Sequence, residues 1–141
     1  RMELVNCTEI YWEFVRELRM DSRVVEGFIE NIKITKQMQI DYMKKYSDCY
    51  RVAVINVTAG DSVVKHPVGF VGVIDNDIRV CTHPDFQGRG VGKFMINAAM
   101  EIWPNAISKV KIKNTASLRL FESCGFNKKY YILEKDDKQS I

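Results

Sequence analysis

Apolar positions along the chain alternate between a helical and a strand period. Tyr11, Phe14, Val15 and Leu18 fall at i, i+3, i+4 and i+7, one face of a helix, with Thr8 placed to cap it and Asp21-Ser22 to break it. Val25, Phe28, Ile29 and Ile32 repeat that spacing around Gly27, which leaves helix and apolar loop equally open. Thr35 is a cap for a helix to about Tyr46. Met2 to Val5 reads as a short first strand, and Tyr50 to Val57 as a second that ends in the turn cluster Thr58-Ala59-Gly60-Asp61-Ser62. Pro67 to Ile74 is almost continuously apolar, as in a strand covered on both faces. Asp75-Asn76 joins it to a strand Asp77 to Thr82, so the two should form a hairpin.

The clearest helix follows. Val91, Phe94, Met95, Ala98, Ala99 and Ile102 lie on one face of a segment that runs to Trp103, and Pro104 ends it. Ile107 to Lys113 reads as a strand whose Lys109, Lys111 and Lys113 form a solvated face. Asn114 caps a last helix with Ser117, Leu120, Phe121 and Cys124 on its buried face, and Gly125 stands where that helix stops. Tyr130 to Glu134 should close the sheet.

At 141 residues the chain is expected to be one domain, residues 1–141, that buries roughly two thirds of its unfolded surface. Its formal charge of +3 comes without a basic stripe, which argues against a nucleic-acid partner. Cys7, Cys49, Cys81 and Cys124 are far apart and only His66 and His83 could assist them, so neither a metal site nor a disulfide framework is indicated. No signal peptide and no apolar run of membrane-spanning length is present, so the expected location is the cytoplasm, with reduced thiols and no membrane partner.

Candidate chemistry centres on Gln87-Gly88-Arg89-Gly90-Val91-Gly92, at the junction of an apolar strand and the clearest helix. Three glycines there expose backbone N–H groups at the positive end of a helix dipole, a place to hold phosphate. The bland alternative is a tight turn with close helix packing. A Walker loop would need Lys-Ser or Lys-Thr after the last glycine, but Gly92 is followed by Lys93-Phe94. A dinucleotide fingerprint would need Gly-x-Gly-x-x-Gly and a later acid, and Ala106 to Lys113 carries none.

The stretch resembles the acetyl-CoA pyrophosphate loop of the GNAT superfamily of N-acetyltransferases, Gln/Arg-x-x-Gly-x-Gly/Ala, filled here by Gln87, Gly90 and Gly92 after His83-Pro84-Asp85-Phe86. Asn114 to Phe126 resembles a second element of that superfamily, Asn-x-x-Ala/Ser-x-x-Leu-Tyr/Phe-x-x-x-Gly-Phe. The resemblance implies an α/β (α+β) fold, with a mixed, mostly antiparallel sheet, a splayed central strand pair and flanking helices. It implies acetyl-CoA as acyl donor, bound where Ile78 to Thr82 diverges from Ile107 to Lys113. The backbone of Val80, Cys81 and Thr82, freed by a bulge, would pair with the pantetheine arm. Amides from Gln87, Gly88, Arg89, Gly90, Val91 and Gly92 would take the pyrophosphate, with charge from Arg89 and Lys93. Glycine would be needed at positions 88, 90 and 92 to keep side chains off the phosphate. Asn114 and Ser117 would approach the pantetheine, with Phe121 a wall near the thiol.

Acetyl transfer to an amine needs a base, an oxyanion donor and a proton for the departing thiolate. Many members of the superfamily carry a tyrosine acid where Phe121 stands, and phenylalanine cannot supply a proton. Tyr130 or Tyr131 could substitute, with Ser117 or water as weaker sources. Asp75 and Asp77, on one strand face, are the candidate bases, with turn chemistry as the competing role. The amide of Cys81 or Thr82 is the expected oxyanion donor. Cys81 and Cys124 lack a convincing histidine partner, so direct transfer is favoured over an acyl-enzyme.

The expected function is therefore an acetyl-CoA-dependent N-acetyltransferase acting on a primary amine of a small molecule or amino sugar. A non-catalytic acyl-CoA-binding sensor or partner-binding module and a protein N-terminal acetyltransferase are the alternatives. Arg16, Arg19 and Arg23 could contact an acceptor phosphate, or form only a solvated helix face. A homodimer is a further expected partner.

Overall fold

The computed structural model describes residues 1–30 and 33–136. Four strands, β1 (Met2–Asn6), β2 (Tyr50–Ala59), β3 (Ser62–Ile74) and β4 (Asp77–Thr82), form one antiparallel sheet in the order β1-β2-β3-β4. The helices are α1 (Trp12–Met20), α2 (Lys36–Tyr46), α3 (Val91–Ile102) and α4 (Thr115–Ser123). The result is an α+β fold with a helical layer on each face of the sheet.

Local signals account for most element ends. Thr35 Oγ1 accepts from Met38 N at 3.1 Å and caps α2. Asn114 Oδ1 accepts from Ser117 N at 3.1 Å and caps α4. At the end of α4, Phe126 N donates to Phe121 O and Gly125 N to Glu122 O, a stop that needs the positive φ of Gly125, +91°. Asp75 and Asn76 both take positive φ, 52° and 63°, which makes the tight β3–β4 hairpin. Thr8 caps only a short 3₁₀ turn, Glu9–Tyr11, with backbone alone, and α1 begins after it. The open segment around Gly27 is a 3₁₀ turn, Val25–Gly27, followed by bends; Ile32 lies outside the described residues.

The sheet divides two apolar layers. On one face Val15 and Leu18 of α1 and Met43 of α2 pack on Tyr50, Val52, Val54, Phe70 and Cys81. On the other, Val91, Met95, Ile96 and Ala99 of α3 and Phe121 of α4 pack on Ala53, Val71, Val73 and Ile78. A bulge sits at Ala53/Val54, where Val68 of β3 has no opposite residue and turns into the α3 layer.

Three expectations are corrected. β2 and β3 run to Ala59 and from Ser62, so the predicted five-residue turn shrinks to Gly60-Asp61. Residues 107–113 form no ladder; Ile107 alone makes a parallel bridge, to Asp77. Tyr130 to Glu134 is not a strand, because no neighbouring strand offers partners for its N–H and C=O groups. The sheet is therefore antiparallel over four strands, with one parallel bridge at its β4 edge.

Candidate functional site

The bridge sets the geometry of the β4 edge. Ile107 N donates to Asn76 O at 2.7 Å and Ile78 N to Ile107 O at 2.9 Å; past that point the two segments share no hydrogen bond among the described residues. Backbone groups of a strand alternate between its two edges. Because Ile78 N faces outward and His83 N bonds inward to Val68 O at 2.8 Å, the N–H and C=O of Val80 and Thr82 face the open edge. Those of Cys81 face β3.

Two expectations change as a result. β4 keeps unbroken register with β3 and carries no bulge; its free edge exposes Val80 and Thr82 instead. Cys81 N–H belongs to the ladder, so of the two candidate oxyanion amides only that of Thr82 is available.

The glycine loop lies just beyond β4. Pro84–Phe86 makes a 3₁₀ turn, Gly88 and Gly90 take φ of +78° and +79°, and α3 starts with Gly90 as its left-handed cap. Phe94 N, bonded to Gly90 O at 3.0 Å, is the first amide of α3 to find a backbone acceptor. The amides of Gly88 to Lys93 have no hydrogen-bond partner among the described residues, and no side chain caps the helix. Consecutive free donors at a positive helix end fit a pyrophosphate. Arg89 lies over the Phe86 ring, 5.0 Å from its centroid, and Lys93 is exposed on the first turn.

The three glycines do different work. A Cβ at Gly88 or Gly90 would meet nothing within 4 Å, so positive φ, not space, demands glycine at both. At Gly92 a Cβ would stand 2.8 Å from Leu120 Cδ2 of α4. Close helix packing, the alternative weighed for the whole loop, holds at that one position.

Asn114 and Ser117 sit half-buried at the start of α4, and Asn114 Nδ2 lies 3.5 Å from where a Cβ on Gly27 would be. Lys111 Nζ donates to Glu26 O at 2.7 Å. The α1–α2 connection thus touches both the 107–113 segment and the cap of α4. Phe121 is 4% exposed and stacks edge-on with Phe126 at 5.1 Å.

The catalytic candidates are dispersed. Asp75 occupies the exposed hairpin turn and so shares no strand face with Asp77, which begins β4 half-buried beside the Ile107 bridge. Asp77 Oδ2 pairs with Arg79 Nη2 at 3.3 Å. Tyr130 and Tyr131 are 92% and 90% exposed, outside any element, and neither hydroxyl has a partner among the described residues. The Cys81 thiol is pushed up to about 12, chiefly by burial, against a lowering influence of Arg19, and at neutral pH it is a protonated, weak nucleophile. Cys124 lies half-buried beside Ser123.

Sequence reasoning passed over a polar cluster on the α1–α2 face of β4. Tyr42 and Tyr50 share a hydroxyl hydrogen bond of 2.7 Å, and Tyr50, Gly72 and Arg79 stand opposite one another on β2, β3 and β4. Burial, then Tyr50, raise the Tyr42 hydroxyl, while Arg79 and Arg19 pull the other way. The signal was available: Asp77-x-Arg79 alternates charge within a strand whose other residues are mostly apolar. Of the three candidate arginines, Arg16 of α1 is tied to Glu13 and Ile34 O, and Arg23, past the end of α1, to Asp21 and Asp85. Arg19 has no carboxylate partner among the described residues and lies over Phe28, 5.2 Å from the ring centroid.

A cavity of about 340 Å3 opens elsewhere, around Trp12, Cys7 and Arg51, away from the glycine loop. Among the described residues no group of His, Cys, Asp and Glu is placed to hold a metal ion, and no helix is long and apolar enough to cross a membrane.

No curated protein matches the sequence. Several solved structures match the fold. Spermidine N-acetyltransferase from Vibrio cholerae, solved with CoA and spermine, superposes with a TM-score of 0.75 at 18% identity, covering 95% of this chain and 85% of that one. A GNAT-family acetyltransferase from Bacillus anthracis gives 0.71 at 18% identity, covering 93% and 82%. Aminoglycoside acetyltransferase AAC(6')-Ib, solved with coenzyme A, gives 0.63 at 17%, covering 92% and 86%. The model of the acetyltransferase (GNAT) domain matches residues 47–128, from the start of β2 through the glycine loop to the stop of α4. With that match over more than half its length, the chain belongs to the GNAT acetyltransferases.

Proposed function

We propose that the chain is an acetyl-CoA-dependent N-acetyltransferase that acetylates a primary amine of a small molecule directly. One observation carries the reading: the run of unpartnered amides from Gly88 to Lys93 opens beside the free β4 edge at Val80 and Thr82. An anion site and an unpaired strand edge side by side match a donor with a pyrophosphate at one end and an amide-bearing arm at the other. That spermidine and aminoglycoside acetyltransferases share the fold supports an amine as acceptor.

Acetyl-CoA supplies an activated acyl carbon. The chain's residues do the rest. Thr82 N–H, on the free edge, is the oxyanion donor; Cys81, neutral and buried, takes no part. Asp77, at the point where the two segments part, is the base that accepts the amine's proton, directly or through water. Asp75, out in the turn, is too exposed to act in a sheltered site. As the C–N bond forms and the C–S bond breaks, the thiolate needs a proton. Ser117, on the first turn of α4, or water provides it, since Phe121 cannot and both Tyr130 and Tyr131 project from the fold.

A second reading, a CoA-binding module without turnover, is favoured by the same absence of a placed tyrosine. Calorimetric titration with acetyl-CoA, using NAD and ATP as controls, followed by an amine panel containing spermine and an aminoglycoside, decides between them. Selective binding with turnover supports the enzyme and selective binding without turnover supports the module. No binding removes both.

A further inference from the structure

Past α4 the chain carries an apolar run that its own fold leaves uncovered. Tyr130, Tyr131, Ile132 and Leu133 are 92%, 90%, 64% and 91% exposed, and the backbone of residues 127–134 makes no hydrogen bond among the described residues. Tyrosine and isoleucine favour strands, and an exposed run of this kind invites pairing with another edge. The arm starts from a fixed point: Phe126 N donates to Phe121 O at 3.1 Å, and the two rings meet at 5.1 Å.

A matching edge lies in the segment after α3. The parallel bridge turns the N–H and C=O of Ile107 toward β4, so along residues 107–111 those of Ser108 and Val110 face away from it. Neither residue's backbone has a partner among the described residues. The two stretches fit in one antiparallel register. Setting Glu134 opposite Lys109 puts Leu133 opposite Val110 and Tyr131 opposite Ile112, which is 89% exposed. Leu133 then extends the α3–α4 layer in which Val110 already packs. A one-residue slip in either direction sets Leu133 against a lysine, Lys109 or Lys111.

We propose that two copies of the chain exchange these arms, residues 130–134 of each adding as a strand to the free edge of residues 107–111 in the other. Each chain holds one unused arm and one unused edge, so the exchange is reciprocal and closes on a two-fold axis, with no unused pair left to recruit a third copy. A second copy is the occupant because the exposure of Tyr130, Tyr131 and Leu133 shows that the arm does not lie on its own sheet. Two arms carry four tyrosines, and at about 150–250 Å2 each these supply most of the roughly 1,000 Å2 that a stable interface needs. The arm meets residues 107–111 on the side away from β4, so Val80 and Thr82 stay free for the donor. The inference rests on backbone pairing and does not depend on the acetyltransferase reading.

Sedimentation of the wild-type chain should show a monomer–dimer equilibrium that saturates at the dimer. Tyr131→Asp/Leu133→Asp, changed at positions exposed in the single chain, should stay monomeric with an unchanged circular dichroism spectrum. The pairing itself is read from Lys109→Cys/Glu134→Cys in a Cys49→Ser/Cys124→Ser background, which leaves only the buried Cys7 and Cys81 besides the new pair. Opposite residues of an antiparallel pair lie within disulfide reach, so oxidation should give a covalent dimer on a non-reducing gel, reversed by a thiol. A wild-type chain that is monomeric at every concentration, or an arm variant that still dimerises, overturns the proposal. So does a double-cysteine chain that stays a monomer, whether its thiols remain free or close within one chain, the latter meaning that the arm completes its own sheet. Where the aspartates unfold the chain, the cross-link alone decides.

Discussion

Ile78 N–H and Ile107 C=O, 2.9 Å apart, make the last hydrogen bond between β4 and the segment that follows α3. Past it, Val80 and Thr82 direct their backbone groups into an open edge, while Cys81 points its own back to β3. Amide hydrogen exchange should therefore show fast exchange at Val80 and Thr82 in the free protein, slowed on adding CoA, with Cys81 protected throughout. A fast Cys81 amide in the free protein would mean the parity of β4 is wrong.

Gly90 should tolerate neither a side chain's backbone preference nor a negative charge. Gly90→Ala should lose stability by about 1–2 kcal/mol, the cost of a left-handed non-glycine residue. Gly90→Glu adds a carboxylate at the positive end of α3 and should weaken acetyl-CoA binding by about tenfold or more beyond Gly90→Ala. Calorimetry and thermal melts on both variants separate strain from charge; equal affinities would remove the pyrophosphate role of the loop.

Gly92 and Leu120 should behave as a packed pair. Gly92→Ala forces its Cβ against Leu120 Cδ2 and should destabilise by about 1–3 kcal/mol unless that side chain swings away. Leu120→Ala in the same chain should recover part of the loss. A double-mutant cycle in denaturant reads the coupling, and strict additivity would show that the helices do not meet there.

Asn114 caps α4, and two substitutions separate that role from the proposed contact of its amide with the cofactor. Asn114→Ala removes the acceptor that Ser117 N uses and should cost about 1 kcal/mol of stability. Asn114→Asp keeps the cap but loses the amide donor. If the Nδ2 group holds pantetheine, acetyl-CoA affinity falls in both variants; if only the cap matters, Asn114→Asp binds as the wild type does.

Alkaline pH should destabilise the fold through its buried thiols. Burial lifts Cys81 to about 12 and Cys7 to about 11 from an ordinary 9.0. Above the ordinary value the unfolded chain sheds these protons while the folded chain keeps them, so unfolding stability declines as pH rises through the interval. Denaturant midpoints should be flat with respect to these groups below pH 9 and fall above it. The fall should be shallower in Cys81→Ala, compared at matched pH with its own neutral value.

Much of this molecule was legible in the linear chain because the relevant physics is local. Caps at Thr35 and Asn114 act within four residues, the Asp75-Asn76 turn is two residues long, and the face of α3 repeats with the helical period. The glycine loop at the start of α3 was legible because positive φ and a helix start are both short-range properties.

What tertiary structure alone decided depends on partners distant in sequence. A strand exists only if a neighbour takes its N–H and C=O groups, and neither residues 107–113 nor Tyr130 to Glu134 found one beyond the bridge at Ile107. Which β4 amides are free follows from which edge faces β3, and no local pattern states that. Gly92 is required by Leu120, a residue of another helix. The face shared by Tyr42, Tyr50 and Arg79 draws on α2, β2 and β4. The chain by itself determined where left-handed glycines open α3; pairing with β3 and the single bridge to Ile107 determined which backbone edge of β4 stays free beside them.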